Sequence, residues 1–304
     1  MSISDKLFNF FNSLLLSKRT KLISEKVIVN IAIISFVVHL IFIVLAELDV
    51  VNLPNSNLLN SPIAAIYTPF TFILIYEVYL LIYYLPKSIT TYIGKQYEII
   101  TLILVRRIFK DLSNLELTSN WFQIKNDLQF TYDILATILM FFLIYIFYKL
   151  RDEVKSSNKI LSSQLKKFIK KKKVIAMFLI VFFVLLAFYH LFSWVYDSYF
   201  SLNNIVDFRK DINKIFFDEF FTILILTDVL LLLLSFAHTD KFNKVVRNSG
   251  FIISTILIRL SFGVDGILNT ILITVAVLFG VVILKIHNKY AALSIPYKKK
   301  HETL

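Results

Sequence analysis

The sequence predicts an all-α protein, a polytopic integral membrane helix bundle, and three observations support this prediction. Hydrophobic residues make up 57% of the 304 residues, with 30 Phe and 15 Tyr, and only 18% of the residues are charged. The mean hydropathy of +0.72 is too high for a soluble globule. Apolar stretches of about 20 residues, the length that spans about 30 Å of hydrocarbon, recur along the whole chain.

Six of these stretches predict transmembrane helices by their hydropathy alone. In chain order they are residues 27–46, 63–85, 134–148, 174–195, 220–237 and 266–286. Proline lacks the backbone N–H that a helix interior requires. We therefore expect Pro69 to kink the second helix and Pro86 to end it.

Two shorter stretches, 96–112 and 246–264, decide the topology because they are apolar but carry arginine. If both cross the membrane, the chain has eight helices and 25 of its 33 Lys and Arg lie on the side of the termini. If neither crosses, the chain has six helices and that number falls to 19. Lys and Arg are enriched on the cytoplasmic side of membrane proteins. We predict eight helices in the cell inner membrane with both termini cytoplasmic; the alternative is six spans plus two interfacial or re-entrant helices.

The eight helices are predicted to form two similar four-helix repeats. Residues 103–106, Ile-Leu-Val-Arg, match residues 256–259, Ile-Leu-Ile-Arg, and each follows an acidic residue in an apolar helix by about thirty positions. Four spans return the chain to its starting side, so the repeats are parallel. The predicted segments are a cytoplasmic amphipathic N-terminal segment (1–26), the first membrane repeat (27–150), a basic cytoplasmic linker (151–173), the second membrane repeat (174–288) and a basic cytoplasmic tail (289–304).

Two acid–arginine pairs are the main candidates for an ion or proton pathway: Glu77 with Arg106, and Asp228 with Arg259. A charge in hydrocarbon costs several kcal/mol unless it is paired or hydrated, so an ionisable residue there is a functional-site candidate. Counting the helical rise from the flanking basic residues places the two members of each pair at equal depth, about 15–18 Å from the cytoplasmic interface. The pairs either line such a pathway or only fix the helix register.

Four further polar residues are expected to lie in or beside the helices. His39 and His190 are expected to form hydrogen bonds within the bundle, or to relay protons to a buried carboxylate. Arg107 is expected to reach Asp111 or lipid head groups. Asp133 is expected at the outer end of its helix.

Two segments are predicted to lie on the cytoplasmic leaflet. The N-terminal stretch has apolar residues at helical spacing opposite Lys6 and Asn9, which is typical of an interfacial helix. A second stretch is strongly basic; it either binds anionic lipid head groups, at about 1 kcal/mol per charge, or acts only as a topological signal. Its candidate lipid-binding residues are Lys166, Lys167, Lys170, Lys171, Lys172 and Lys173.

Several function classes are not expected. The chain has no cysteine, which rules out disulfides, thiolate metal sites and thiol catalysis. No helix has histidines at metal-ligand spacing, and no histidine or serine has a catalytic arrangement. We therefore predict no metal, no cofactor and no enzymatic activity. The net charge of +12 is distributed as membrane topology requires, with no recognition motif, so no nucleic-acid partner is expected.

From Asp228 to Ile286 the chain has an acid in an apolar helix, a polar turn with His238, an apolar helix carrying Arg259, and a last span. This order resembles the phosphate-starvation-inducible E (PsiE-like) family of small multi-pass membrane proteins, most clearly over residues 216–288. Residues 64–150 resemble a more divergent copy. The resemblance implies a duplicated four-helix membrane domain and little about activity, and the second copy departs from the family's single-domain pattern.

The sequence thus predicts a multi-pass membrane protein that moves or senses a small ion or proton. The alternative is a non-transporting membrane scaffold or interaction protein whose buried pairs are structural. The expected partners are the lipid bilayer, anionic lipid head groups and a small cation or proton. An oligomer is compatible with either function.

Overall fold

The computed structural model is all-helical, as predicted. It describes residues 3–48, 62–112, 125–153, 163–200, 212–236, 242–264 and 266–293, and the described residues contain no strand. A short 3-10 helix spans Pro62–Ile66. The α-helices are α1 (Ile3–Leu15), α2 (Lys18–Glu47), α3 (Tyr67–Tyr84), α4 (Ile89–Leu112), α5 (Lys125–Glu153), α6 (Ser163–Phe200), α7 (Ile212–Phe236), α8 (Phe242–Ser261) and α9 (Ile267–Leu293).

Within the described part of the chain, four helical segments are long and apolar enough to cross a membrane. They are Asp5–Glu47, Asp127–Glu153, Glu219–Phe236 and Ile267–Leu293. The segment Thr68–Tyr84 is a shorter apolar helix. These helices support a location in a membrane.

The chain divides into two compact units. Unit 1 comprises Met1–Tyr84 and Gly94–Ile144, and unit 2 comprises Leu85–Ile93 and Tyr145–Leu304. The core of unit 1 includes Leu81, Tyr97 and Met140, whose side chains are fully buried. Helix α2 packs on α3, and most large apolar side chains of α2 are exposed, as expected for a helix that faces lipid.

Polar residues define several helix ends. Ser17 caps α2 by accepting a hydrogen bond from the Thr20 backbone N–H at 3.0 Å, and Ser88 accepts one from the Thr91 N–H at 3.2 Å at the start of α4. Helix α3 ends at Tyr84, so Pro86 ends it as predicted. The expected kink at Pro69 is wrong. Pro69 is the third residue of α3, in the first turn, where a missing N–H interrupts little helical bonding.

Unit 2 is built around the close pair α8 and α9. A Cβ atom on Gly250 would lie only 2.8 Å from two side-chain carbons of Ile283, so glycine lets the two helices approach. The Ser254 hydroxyl donates to the Ala276 carbonyl at 2.6 Å across the same contact. Small residues four positions apart, Gly250 with Ser254 and Ala276 with Gly280, are typical of helix pairs in membranes.

Candidate functional site

The first acid–arginine pair lies in the hairpin of α3 and α4 in unit 1. Phe70 stacks on Phe109 with ring centroids 5.2 Å apart, and the Lys95 ammonium lies 5.4 Å from the Tyr84 ring centroid. These two contacts fix the antiparallel register of the hairpin. They place Glu77 at the level of residue 102.

Arg106 therefore lies one helical turn beyond Glu77, about 6 Å farther from the connecting turn. The equal depth estimated from the sequence is wrong, because α3 ends three residues before Lys87, from which its depth was counted. The Arg106 guanidinium still acts electrostatically on the Glu77 carboxyl, so the two residues form a buried acid–arginine pair.

Glu77 has an unusual environment for a carboxyl group. Its side chain is only 5% exposed. Among the described residues, no hydrogen-bond donor contacts its carboxylate, and Arg106 is the one charged group that acts on it. The negative charge of Glu77 is thus balanced by the guanidinium of Arg106, which lies nearby but is not hydrogen-bonded to the carboxylate.

Asp133 shows the opposite arrangement in the same unit. Its carboxylate accepts two hydrogen bonds from Arg107, at 2.5 Å from Nε and 2.6 Å from Nη2, and a third from Gln129 Nε2 at 2.9 Å. The Asp133 side chain is fully buried. Such a bidentate, charge-assisted pair holds the carboxylate in a fixed position.

The sequence did not predict the pairing of Arg107 with Asp133. Asp133 was expected at a helix end, but α5 begins at Lys125 and includes Asp133 two turns inside. Gln129 precedes Asp133 by four residues, which places both side chains on one helical face. This four-residue spacing is the feature of the sequence that could have predicted a polar face on α5.

In unit 2, Asp228 lies on α7 with a side chain that is 3% exposed. Lys172 of α6 acts on it electrostatically. The Lys172 ammonium also donates a hydrogen bond to the Lys87 carbonyl at 2.9 Å. Lys172 is thus a cationic neighbour of Asp228 that the sequence prediction did not include.

Arg259 lies on α8, farther from the connection between α7 and α8 than its predicted partner Asp228 on α7. Asn248 binds Ser235 at 3.1 Å and Phe221 stacks on Phe262 at 4.9 Å, which places Asp228 near the level of residue 255. Arg259 Nη2 donates to Thr222 Oγ1 at 3.4 Å. Arg259 is therefore about four residues, or about 6 Å, beyond Asp228. In both hairpins the arginine lies beyond its acid in the same direction.

His39 forms a bundle hydrogen bond, as expected. Its Nδ1 lies 2.5 Å from the Thr68 hydroxyl, which joins α2 to α3. His190 lies in α6, and its side chain is outside the described residues.

The basic stretch 166–173 lies on the first turns of α6. Four of its lysines are exposed, Lys173 is partly exposed, and Lys172 is only 7% exposed. Lys172 lies four residues before the buried Ala176, on the face of α6 that enters the core of unit 2. The exposed lysines in this stretch are Lys166, Lys167, Lys170 and Lys171.

The described residues contain no group of three or more histidine, aspartate or glutamate side chains that could hold a metal ion. Comparisons of the chain with protein-family models, with curated proteins and with solved structures give no match. The proposals for function therefore rest on the geometry of the two units.

Proposed function

We propose that this protein moves protons, or a small cation, across a membrane and that Glu77 is the group that exchanges the ion. The environment of Glu77 carries the proposal. Protonation of a buried carboxylate that accepts several charge-assisted hydrogen bonds, such as Asp133, would break those contacts. Glu77 has no such bonds among the described residues and one guanidinium about a turn away. Protonation of Glu77 therefore breaks fewer contacts than protonation of Asp133.

In this proposal Arg106 balances the charge of ionised Glu77 without occupying its oxygen atoms. Asp228 has the corresponding role in unit 2, where Lys172 acts on its carboxylate and Arg259 lies farther along the hairpin. His39 and His190 are secondary candidates for proton relay, because imidazole titrates near neutral pH. A transported proton would bind to the carboxylate and then be released to water, and a small cation would bind to the carboxylate directly and then dissociate into water.

The proposal includes the finer topology: eight spans, two parallel four-helix repeats, and both termini on the cytoplasmic side of a cell inner membrane. The distribution of Lys and Arg supports it. The same displacement of arginine beyond acid in the α3–α4 and α7–α8 hairpins also favours a repeat. The resemblance to the PsiE-like family over residues 216–288 would then reflect a duplicated membrane domain.

The exposed lysines at the start of α6 are proposed to bind anionic lipid head groups. They carry several positive charges on adjacent turns of one helix. The α1 side chains Leu7, Phe10, Phe11 and Leu14 are also exposed, which suits an interfacial helix. Both segments would anchor the protein at the same leaflet.

A membrane scaffold is the second candidate function, and the contact of Arg107 with Asp133 favours it. That pair is neutral as a whole and fixes the position of α4 against α5. Helix packing alone is a sufficient role for such a pair. A scaffold would keep all of its buried acids permanently ionised and would move no solute.

Purified protein reconstituted into liposomes with a trapped pH-sensitive dye separates the two functions. A potassium diffusion potential drives ion movement, and the dye reports proton flux. We expect the Glu77→Gln, Asp228→Asn double variant to elute as a folded protein and to lose flux. The matched control is Glu98→Gln, which removes a partly exposed acid from the same unit and should leave flux unchanged.

Unchanged flux in the double variant would contradict the role of Glu77 and Asp228. Wild-type protein that moves neither protons, Na⁺ nor K⁺ above the level of protein-free liposomes would favour the scaffold. Glu77→Gln and Asp228→Asn measured singly would show which unit limits the rate.

A further inference from the structure

Unit 2 contains a cationic cluster that the proposed ion pathway does not use. It consists of Lys244 and Arg247 on α8 and His287 on α9, with Asn243 and Asn248 beside them; we call it the Arg247 cluster. It lies where α8 begins at Phe242 and where α9 approaches its end at Leu293. Arg247 is five residues from the start of α8, so its Cα is about 8 Å from that helix end.

Hydrogen bonds fix the protonation state and position of His287. Its Nδ1 lies 3.0 Å from the Asn243 carbonyl, which can only accept, so Nδ1 carries the hydrogen. The other ring nitrogen, Nε2, lies 3.3 Å from Arg247 Nη1 and accepts from it. His287 is therefore a neutral acceptor that orients the guanidinium.

The other hydrogen bonds of Arg247 are also with a neutral group. Its Nε and Nη2 donate to Asn248 Oδ1 at 3.2 and 3.0 Å. The Asn248 amide in turn donates to Ser235 Oγ at 3.1 Å, so the 5% exposed Asn248 is held from α7. The guanidinium is thus positioned by three helices.

The charge of Arg247 is not balanced within the described residues. No carboxylate there lies within ion-pair distance of Arg247, and Lys244 is close enough to act electrostatically on His287. Arginine has five N–H donors, and the described acceptors use three. A partly buried charge with only neutral partners is costly unless an anion is bound.

We propose that the Arg247 cluster binds a phosphate group, carried by an anionic lipid head group or free in solution. The planar fork of arginine matches the oxygens of phosphate, and Lys244 supplies a second positive charge. A site about 8 Å from a helix end lies at the depth of head groups and not in the hydrocarbon core. The proposal is independent of Glu77 and of ion movement.

The test measures thermal stabilisation of the full chain in detergent by three additives: short-chain phosphatidylglycerol, short-chain phosphatidylcholine and inorganic phosphate. For wild type we expect saturable stabilisation by phosphatidylglycerol and not by the zwitterionic lipid. Arg247→Gln should weaken the apparent affinity about tenfold or more, since it removes a charge-assisted contact. Arg247→Lys keeps the charge but loses the fork, and it should be intermediate.

Two controls separate this site from general charge effects. Arg151→Gln removes an arginine paired with the exposed Asp152, and it should respond like wild type. Replacing the exposed Lys166, Lys167, Lys170 and Lys171 by Gln should reduce unsaturable, salt-sensitive binding and leave the saturable response. Stabilisation by inorganic phosphate at the same affinity would identify a soluble ligand; stabilisation by phosphatidylglycerol alone would identify a lipid.

Equal responses of wild type and Arg247→Gln would overturn the proposal. The same holds if the saturable response disappears only when the α6 lysines are replaced. Asp240, two positions before the first residue of α8, lies outside the described residues and is the acid nearest to Arg247 in sequence. A chain that responds only after Asp240→Asn would show that this carboxylate already occupies the cluster, which also overturns the proposal.

Discussion

Glu77 and Asp133 show how two buried carboxyl groups in one unit acquire different chemistry from their hydrogen bonds. Asp133 accepts three hydrogen bonds, two of them from one guanidinium. Glu77 accepts none from the described residues and has only the charge of Arg106 nearby. In the first arrangement several donors hold the carboxylate in place. In the second arrangement protonation of the carboxyl group breaks few contacts. This difference assigns a structural role to Asp133 and an exchange role to Glu77.

Replacing Asp133 should therefore destabilise the protein strongly. Asp133→Asn keeps the shape of the side chain but removes the charge that Arg107 and Gln129 contact. We expect the free energy of unfolding to fall on the order of 3 kcal/mol, as for other buried pairs that lose one partner. Thermal unfolding in detergent measures the change.

The matched control for Asp133→Asn is Asp152→Asn. Asp152 also accepts hydrogen bonds from an arginine, Arg151, but its side chain is 67% exposed. Exposed pairs contribute little to stability, about 0–1 kcal/mol. Equal destabilisation by the two variants would refute the structural role of Asp133.

Lys172 should make stability depend on pH in the alkaline range. It precedes the apolar stretch 174–195, and its burial lowers the pKa of the ammonium from 10.5 to about 8, which the Asp228 carboxylate partly opposes. Between about pH 8 and 10.5 the unfolded chain keeps a proton that the folded chain has released. The free energy of unfolding contributed by this group therefore rises with pH, on the order of 3 kcal/mol in total.

The Lys172→Met variant should lack this rise. We expect the unfolding temperature of wild type, measured from pH 7 to pH 10, to rise relative to that of the variant as the pH increases. Lys170→Met, which replaces an exposed lysine two residues away, should follow wild type. Parallel curves for wild type and Lys172→Met would show that Lys172 is not buried as described.

At the scale of helices, the contact of α8 with α9 depends on the absence of a side chain at Gly250. A Cβ atom there would meet two carbons of Ile283 at 2.8 Å, closer than carbon atoms approach without displacement. We expect Gly250→Ala to lower the free energy of unfolding by about 1–3 kcal/mol, the usual cost of overpacking. Adding Ile283→Ala should recover part of this loss, because it removes the carbons that the new Cβ would meet.

Gly263→Ala is the control for this substitution. A Cβ at Gly263 would meet the Leu260 carbonyl oxygen at 3.5 Å, an ordinary contact distance. We expect its effect on unfolding to stay small. If Gly250→Ala were equally mild, α8 and α9 would have to be farther apart than the structure describes.

The helices themselves were predictable from hydropathy, but their relative positions were not. The predicted stretch 266–286 falls inside α9, and 220–237 largely coincides with α7, because long apolar runs leave few alternatives. The register of a hairpin depends on where its turn begins and ends. Arg106 and Arg259 each lie about four residues beyond their acids, and only contacts such as Phe70 with Phe109 determine this displacement.

Across the whole molecule, the sequence identified two of the buried acids, Glu77 and Asp228, but missed part of their surroundings. Glu77 and Asp228 were recognisable because acids are rare in apolar helices. The contact of Arg107 with Asp133, the electrostatic interaction of Lys172 with Asp228 and the Arg247 cluster each join consecutive helices through residues that are far apart in sequence. In the sequence, Lys172 could not be distinguished from the neighbouring lysines of the stretch 166–173. Its spacing of four residues from Ala176, which places both side chains on one helical face, could have predicted its burial. Tertiary contacts of this kind leave no periodic pattern in one chain.

The number of spans is the remaining property of the whole molecule that a single experiment decides. The chain contains no cysteine, so single cysteines can be introduced without removing any native thiol. With eight spans, Ser156→Cys in the basic linker and Thr303→Cys in the tail lie on the same side of the membrane. With six spans they lie on opposite sides. Asn55→Cys lies opposite the tail in both topologies and serves as the reference.

We expect a membrane-impermeant maleimide to label Asn55→Cys in intact cells and to label Ser156→Cys and Thr303→Cys only after the membrane is opened. Ser119→Cys supplies an independent check, because it faces outward with eight spans and inward with six. Labelling of Ser156→Cys in intact cells, together with protection of Ser119→Cys, would establish six spans. In that case the parallel repeat would also be lost, since each half would no longer return the chain to its starting side.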